Sequence, residues 1–255
     1  MNMNIPPPPE KKEKEKEKEK TMAKICMPYI LLILNCEKYK HKADQQNKTW
    51  LKPLQTQDNI VYFHIIGSKE KCETTAVEYI FDDENRILYT STKDDYLSLP
   101  DKIITAINAV NERYDYKYIF KTDDDQDLID PLFFNKLITL LNSDTDTDTD
   151  TSNGNGNGNG KVKYHYGGYQ ISVPDHYSSY HVVHNELPKQ LFLKATKYCN
   201  GRFYLLSKEA VENILKKKSE LSTHIIEDHA IGMYLDDIYK KKSLYLNTTT
   251  YFKDC

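Results

Sequence analysis

Three adjacent aspartates, Asp123, Asp124 and Asp125, follow the segment Ile119-Phe120-Lys121-Thr122 in a chain of 255 residues. Neighbouring carboxylates repel one another, and folding gains nothing from clustering them after an apolar run. The arrangement makes sense if a cation neutralises it. Mg²⁺ and Mn²⁺ take hard oxygen ligands, a few carboxylates together with phosphate oxygens and water. In open α/β sheets, ligands gather outside the carboxyl ends of strands, and the triplet follows a segment that reads as one. An acidic turn capping a helix that begins near Pro131 explains the same residues.

Other segments carry residues fit for chemistry, each beside a plainer explanation. Glu227-Asp228 follows Ile225-Ile226 at the start of a predicted helix. A carboxylate there could deprotonate a hydroxyl as a general base, or simply favour the helix N-terminus. Asp94-Asp95-Tyr96-Leu97-Ser98-Leu99-Pro100 feeds another helix start, where a loop can meet a nucleotide or Ser98 can cap. Lys42 through Trp50 place a cation and the sole Trp after a strand. They could hold a phosphate or a base, or form a solvated helix with one buried Trp. His176, His181 and His184 suggest zinc only weakly, because no fourth ligand is evident.

The elements that must position these groups follow from hydrophobic periodicity. Residues 28–35, 59–67, 86–90 and 116–122 read as strands, the first two as continuous buried runs. Helices are expected over 38–51, 70–80, 100–114 and 131–141. The third has Pro100 in its first turn and Ile103, Ile104, Ile107 and Val110 on one face. Residues 162–173 are β-rich, 198–206 a strand, 207–218 and 228–240 helices, and 244–248 a last strand. Alternation early in the chain predicts an α/β fold with a mainly parallel sheet and a more mixed C-terminal half.

Residues 1–23 are rich in Pro, Lys and Glu and read as a disordered tail; residues 24–255 read as one domain. The Asp-Thr and Asn-Gly repeats of 143–160 read as a low-complexity loop within it, without the fixed geometry of a calcium loop. The net charge of -3 argues against a nucleic-acid partner. Five scattered cysteines suggest free thiols in a reducing compartment rather than a disulfide framework. The best apolar run, Ile25 to Leu34, is far short of the ~20 residues that span a bilayer, and no signal peptide is visible. A soluble, cytoplasmic protein is expected, and the Lys/Asn/Tyr-rich repeats suggest a large DNA virus or an amoeba as source.

Taken in order, these segments resemble the β-1,3-galactosyltransferase-like family, which includes Fringe and the core-1 galactosyltransferases. The resemblance rests on Lys42 before Lys48-Thr49-Trp50, on Asp94, Tyr96, Leu99 and Lys102, and on Tyr118, Lys121 and Asp123-Asp124-Asp125. It continues with Gly201, Tyr204 and Ser207, then Glu227, Asp228 and Gly232. It spans roughly residues 26 to 240. Each motif is loose, and their order is what makes the set specific.

The resemblance implies a GT-A fold and an inverting hexosyltransferase. A hexose or N-acetylhexosamine would pass from a UDP-sugar to a glycan or glycoprotein hydroxyl, in a β-1,3-type linkage. It also implies Mn²⁺ or Mg²⁺. Carried over, Asp125 is the main metal ligand with Asp123 beside it. Lys42, Trp50, Asp94, Lys121, Asp123 and Asp124 contact the donor, and Asp228 is the base. The chain departs from the family in three ways. Ser98-Leu99-Pro100 replaces Asn-Leu-Thr, no His follows His229, and the membrane anchor of animal members is not seen. These departures suggest an alternative, a non-catalytic nucleotide-sugar- or glycan-binding module. A metal-dependent nucleotidyltransferase or phosphoesterase is a third class, though no phosphate-cradling Gly loop is seen.

Overall fold

The computed structural model describes residues 23–143 and 162–255. The tail expected over 1–23 and the low-complexity loop expected over 143–160 fall outside these residues, save Ala23 and Ser143. Eight strands form the main sheet: β1 Tyr29–Leu34, β2 Ile60–Gly67, β3 Tyr79–Asp82, β4 Ile87–Thr90, β5 Tyr118–Asp123, β6 Tyr166–Val173, β7 Thr196–Ser207 and β8 Ser243–Tyr245. Their order across the sheet is β8-β6-β7-β5-β1-β2-β4-β3. The central strands β5, β1, β2 and β4 are parallel, β7 runs antiparallel to both its neighbours, and β3 is an antiparallel edge. This is the parallel half followed by a mixed half that the alternation of elements predicts.

The central strands are continuous apolar runs because both faces of the sheet are covered. Ile30, Leu32 and Leu34 of β1 point into one layer, with Ile103, Ile107 and Val110 of helix Leu99–Arg113. Tyr29, Leu31 and Ile33 point into the other, with Phe133, Phe134, Leu137, Ile138 and Leu141 of helix Phe133–Ser143. Each such side chain contributes about 1.5–3 kcal/mol on burial.

Several elements are shorter than periodicity alone suggests. The helix expected over 38–51 is a 3-10 turn, Glu37–Tyr39, and a helix, Lys40–Lys48. The helix expected over 70–80 ends at Thr75 because Ala76 turns left-handed (φ 54°), and the chain leaves as edge strand β3. The segment 228–240 is two helices, Glu227–Tyr234 and Asp237–Lys241, parted by an extended Leu235. The helix after Ser207 likewise divides, into Lys208–Leu215 and Lys218–Leu221.

All five cysteines are free, and Cys72 and Cys199 are buried while Cys26 and Cys255 are exposed. Among the described residues no helix is long and apolar enough to cross a membrane.

Candidate active site

From β1 the chain moves outward to β2 and β4, then returns to place β5 on the other side of β1. The two directions of travel part between β1 and β5, and a crevice opens there at the strands' carboxyl ends. Leu34 of β1 sits in register with Asp123 of β5, so the triplet emerges into that crevice. The cleft has a volume of about 910 Å³ and is lined by Lys42, Asp94, Lys121, Asp123, Asp124, Asp125, Glu227 and Asp228, among others. Residues more than 180 positions apart in sequence thus line one cleft.

The triplet does not cap the next helix. Asp130 does that, accepting from the N–H of Leu132 (3.0 Å) through its side chain and from Phe133 (3.0 Å) through its carbonyl. The triplet's backbone is instead held from helix Lys40–Lys48. Nε2 of the buried Gln46 donates to the carbonyls of Asp123 (3.3 Å), Asp124 (3.1 Å) and Gln126 (3.0 Å). From the other side, Cys255 N–H donates to the Asp125 carbonyl at 2.9 Å, and Gln126 Nε2 bridges Asp125 and Asp254. The carboxylates therefore face the cleft on a fixed loop.

Lys121 is the buried counter-charge. Its ammonium lies 2.7 Å from Asp123 and 3.1 Å from Glu227, and donates to the Gly201 carbonyl at 2.9 Å. Burial works against the ammonium, but Asp123 and Glu227 outweigh it and hold its pKa above the ordinary lysine value. Glu227 also accepts from the buried Tyr204 hydroxyl. Burial raises Glu227, with Lys121 opposing. Asp123 is pushed up to about 6 by burial, again against Lys121, and its side chain keeps 32% of its surface open on the cleft side. Asp124 also rises to about 6, from burial, with Lys42 3.6 Å away opposing and Asp125 and Asp123 adding to the rise.

Asp228 enters the same site from the opposite half of the fold. Its Oδ2 accepts from Gly201 N–H (2.8 Å) and its Oδ1 from His229 N–H (2.7 Å), while burial raises its pKa. Two glycines make the approach possible. The pairing of β7 with β6 slips between Cys199 and Tyr204, so Gly201 bulges toward the carboxylates. A Cβ there would lie 3.3 Å from Lys121 Nζ and 3.5 Å from both Asp123 and Asp228. Gly232 lets the helix bearing Asp228 press on β7, where a Cβ would meet Tyr198 Cβ at 2.2 Å.

Two of the predicted contacts sit differently. Trp50 is buried (8% exposed) and stacked on Phe134 in the core, outside the cleft, so the indole packs instead of holding a base. Asp94 lines the cleft but is also a clasp. It accepts from Gly67 N–H (2.9 Å), Glu37 N–H (2.7 Å) and the buried Lys102. The three histidines do not form a zinc site. His184 stacks on Tyr96, with ring centroids 4.2 Å apart, and His176 bonds the Pro174 carbonyl. Among the described residues no three His, Cys, Asp or Glu side chains close on a metal ion by themselves. The oxygen set of the triplet nonetheless suits a hard divalent ion in kind, and burial together with the neighbouring carboxylates raises Asp123 and Asp124, a cost that a cation would relieve. Phosphate oxygens and water would have to complete the shell.

An α/β sheet with acidic strand ends at its switch point, faced by a carboxylate from the mixed half, is placed to bind a polar ligand at the strands' carboxyl ends. The family model described as Galactosyltransferase matches residues 44–242, and the chain belongs to that family. No curated protein matches the sequence. Solved structures resemble it remotely. The galactosyltransferase LgtC, in complex with donor and acceptor sugar analogs, is 12% identical with a TM-score of 0.40, over 86% of this chain and 73% of that one. Mouse xyloside xylosyltransferase 1 is 10% identical with a TM-score of 0.38, over 88% and 86%. The mannosyltransferase Ktr4p from S. cerevisiae is 10% identical with a TM-score of 0.37, over 86% and 68%.

Proposed function

We propose that the chain transfers a hexose or N-acetylhexosamine from a UDP-sugar to a glycan hydroxyl with inversion, in a β-1,3-type linkage. The observation that carries this reading is that Asp228 and the Asp123-Asp124-Asp125 triplet line one cleft, coupled through Gly201. Asp228 takes the acceptor proton as the hydroxyl attacks the anomeric carbon, and its raised pKa makes it a stronger base than an exposed aspartate. One base suffices, because attack comes from the face opposite the leaving diphosphate. Lys42 meets the donor's phosphates beside Asp124, and Lys121 holds Asp123 in place. Asp123 and Asp125 would hold Mn²⁺ or Mg²⁺, which as a Lewis acid neutralises the departing diphosphate.

A second reading is a nucleotide-sugar- or glycan-binding module without turnover. It draws on the fact that both Asp228 oxygens already accept backbone N–H groups and that Asp123 is already paired with Lys121. A screen of UDP-sugars for Mn²⁺-dependent UDP release, with and without simple acceptor sugars, separates the two. Transfer is expected to collapse in Asp125→Ala, and in Asp228→Asn with UDP binding retained. Full turnover in Asp125→Ala would end the metal assignment, and loss of UDP binding in Asp228→Asn would make Asp228 structural.

A further inference from the structure

A second cavity, of about 350 Å³, opens on another face of helix Lys40–Lys48 and shares no lining residue with the cleft. Its volume is at the small end of the range for ligand pockets, about 300–1,000 Å³. The helical repeat turns Lys42 and Gln46 toward the triplet and leaves Lys40, Asp44 and Asn47 to line this cavity. Tyr62 and His64, alternate residues of β2, form its floor, and Glu84 and Arg86 of the turn before β4 form its far wall.

His64 is 1% exposed, and its tautomer is set by its neighbours. Asn47 Oδ1 accepts from the Tyr62 hydroxyl at 2.9 Å and lies 3.4 Å from His64 Nε2. The Tyr62 oxygen in turn accepts from Gln55 Nε2 at 2.9 Å. A carbonyl oxygen only accepts, so the imidazole proton is on Nε2 and Nδ1 carries a lone pair. Nδ1 has no hydrogen-bond partner among the described residues. Burial keeps the ring neutral, its pKa pushed down to about 4 with Asp44 opposing. The floor therefore holds a buried acceptor that calls for an N–H or O–H.

The charges around it are balanced. Asp44 and Glu84 face Lys40 and Arg86, and none of the four forms an ion pair among the described residues. Arg86 is held beside the imidazole: its carbonyl accepts from His64 N–H at 2.8 Å, and its guanidinium lies 5.5 Å from the Tyr62 ring centroid. A ligand of a single sign would meet like charge on one wall, whichever sign it carried.

We propose that this cavity binds a small zwitterion carrying a primary ammonium and an anionic group, such as a free amino acid or phosphoethanolamine. The ammonium donates to His64 Nδ1, with Asp44 and Glu84 as its counter-charges, and the anionic group meets Lys40 and Arg86. The site does not depend on the donor, metal or base assigned above, and it stands if they fail.

The test is saturation-transfer NMR on the full chain, with a panel of free α-amino acids and O-phosphoethanolamine. Each is paired with its N-trimethyl analogue, which keeps both charges but cannot donate, and with its analogue lacking the amine. At least one panel member should bind, and both its analogues should bind about tenfold more weakly or worse. An amino acid as the ligand identifies the anionic group as a carboxylate, and phosphoethanolamine identifies it as a phosphate; either supports the site. Asp44→Asn and Arg86→Gln should each weaken binding about tenfold. Lys69→Gln, an exposed cation outside the cavity, should leave it unchanged. His64→Leu should abolish binding with its melting curve retained; should that variant not fold, the N-trimethyl comparison decides the role of Nδ1. No binding by any panel member overturns the site. So does an N-trimethyl analogue as tight as its parent, or binding within twofold of wild type in both Asp44→Asn and Arg86→Gln.

Discussion

The backbone of Gly201 joins the two halves of the site: its N–H donates to Asp228 at 2.8 Å, while its carbonyl accepts from Lys121 at 2.9 Å. The base proposed for the acceptor and the ammonium that holds the triplet are thus two hydrogen bonds apart. A side chain at Gly201 would project between them. Gly201→Val is expected to lower transfer about a hundredfold, some 2.7 kcal/mol of barrier, while the melting temperature changes little, since the bulge faces the cleft. Steady-state kinetics alongside thermal denaturation check this; transfer within twofold of wild type would show that the gap is not needed.

Gly232 should act through packing. Its Cβ would overlap Tyr198 Cβ at 2.2 Å and approach Tyr198 Cα at 2.7 Å, and the second of these is backbone that cannot rotate away. Gly232→Ala is expected to cost about 1–3 kcal/mol of stability and to shift the helix carrying Asp228, so activity falls with stability. Urea denaturation measures the first effect. A variant as stable as wild type would mean that the helix has room to move.

Lys121 is 2% exposed and its partner Glu227 is 6% exposed, so removing the ammonium strands a buried carboxylate. Lys121→Met is expected to destabilise the protein by about 3–5 kcal/mol. Adding Glu227→Gln should recover part of the loss, because the stranded charge is then gone. Chemical denaturation of the single and double variants decides it, and a loss under about 1 kcal/mol would show that water reaches the network.

Asp124 gives a pH signature in metal-free protein. Burial, reinforced by Asp125 and Asp123 against Lys42, raises its folded pKa to about 6 from 3.8. The folded state therefore holds this proton more tightly than the unfolded state, and stability falls as pH rises between those values. The difference in stability between wild type and Asp124→Asn should drop as pH goes from about 4 to about 6 and level off above. A flat difference across that range would mean the carboxylate stays solvated. Mn²⁺, if bound by the triplet, should lower the folded pKa and so shrink the fall.

The sequence alone carried the central architecture. Residues 28–35, 59–67 and 116–122 announce strands because both sheet faces are covered, which removes polar residues from consecutive positions. The same logic placed the triplet at a strand end, and Glu227-Asp228 fell at a helix start as expected. Short elements were less legible. Strand β3 is a half-buried edge of four residues, and only the left-handed turn at Ala76 separates it from the helix before.

Contacts between distant residues were decided by the tertiary structure. Trp50 read as either a ligand contact or a core residue, because an indole's local sequence is the same in both; packing against Phe134 settles it. Gln46 gave no signal, since a polar helix residue is ordinarily solvated, yet it is buried and ties down carbonyls up to 80 positions away. The segment carrying His176, His181 and His184 has no periodicity of its own, and its place is set by Leu187 and Leu193 packing on Ile226. Period and composition are local and report which side chains leave water. Which carboxylate faces which ammonium depends on chain crossings: the return from β4 to β5 puts Lys121 and the triplet at the switch point, and the pairing of β7 with β5 carries Asp228 to the same cleft.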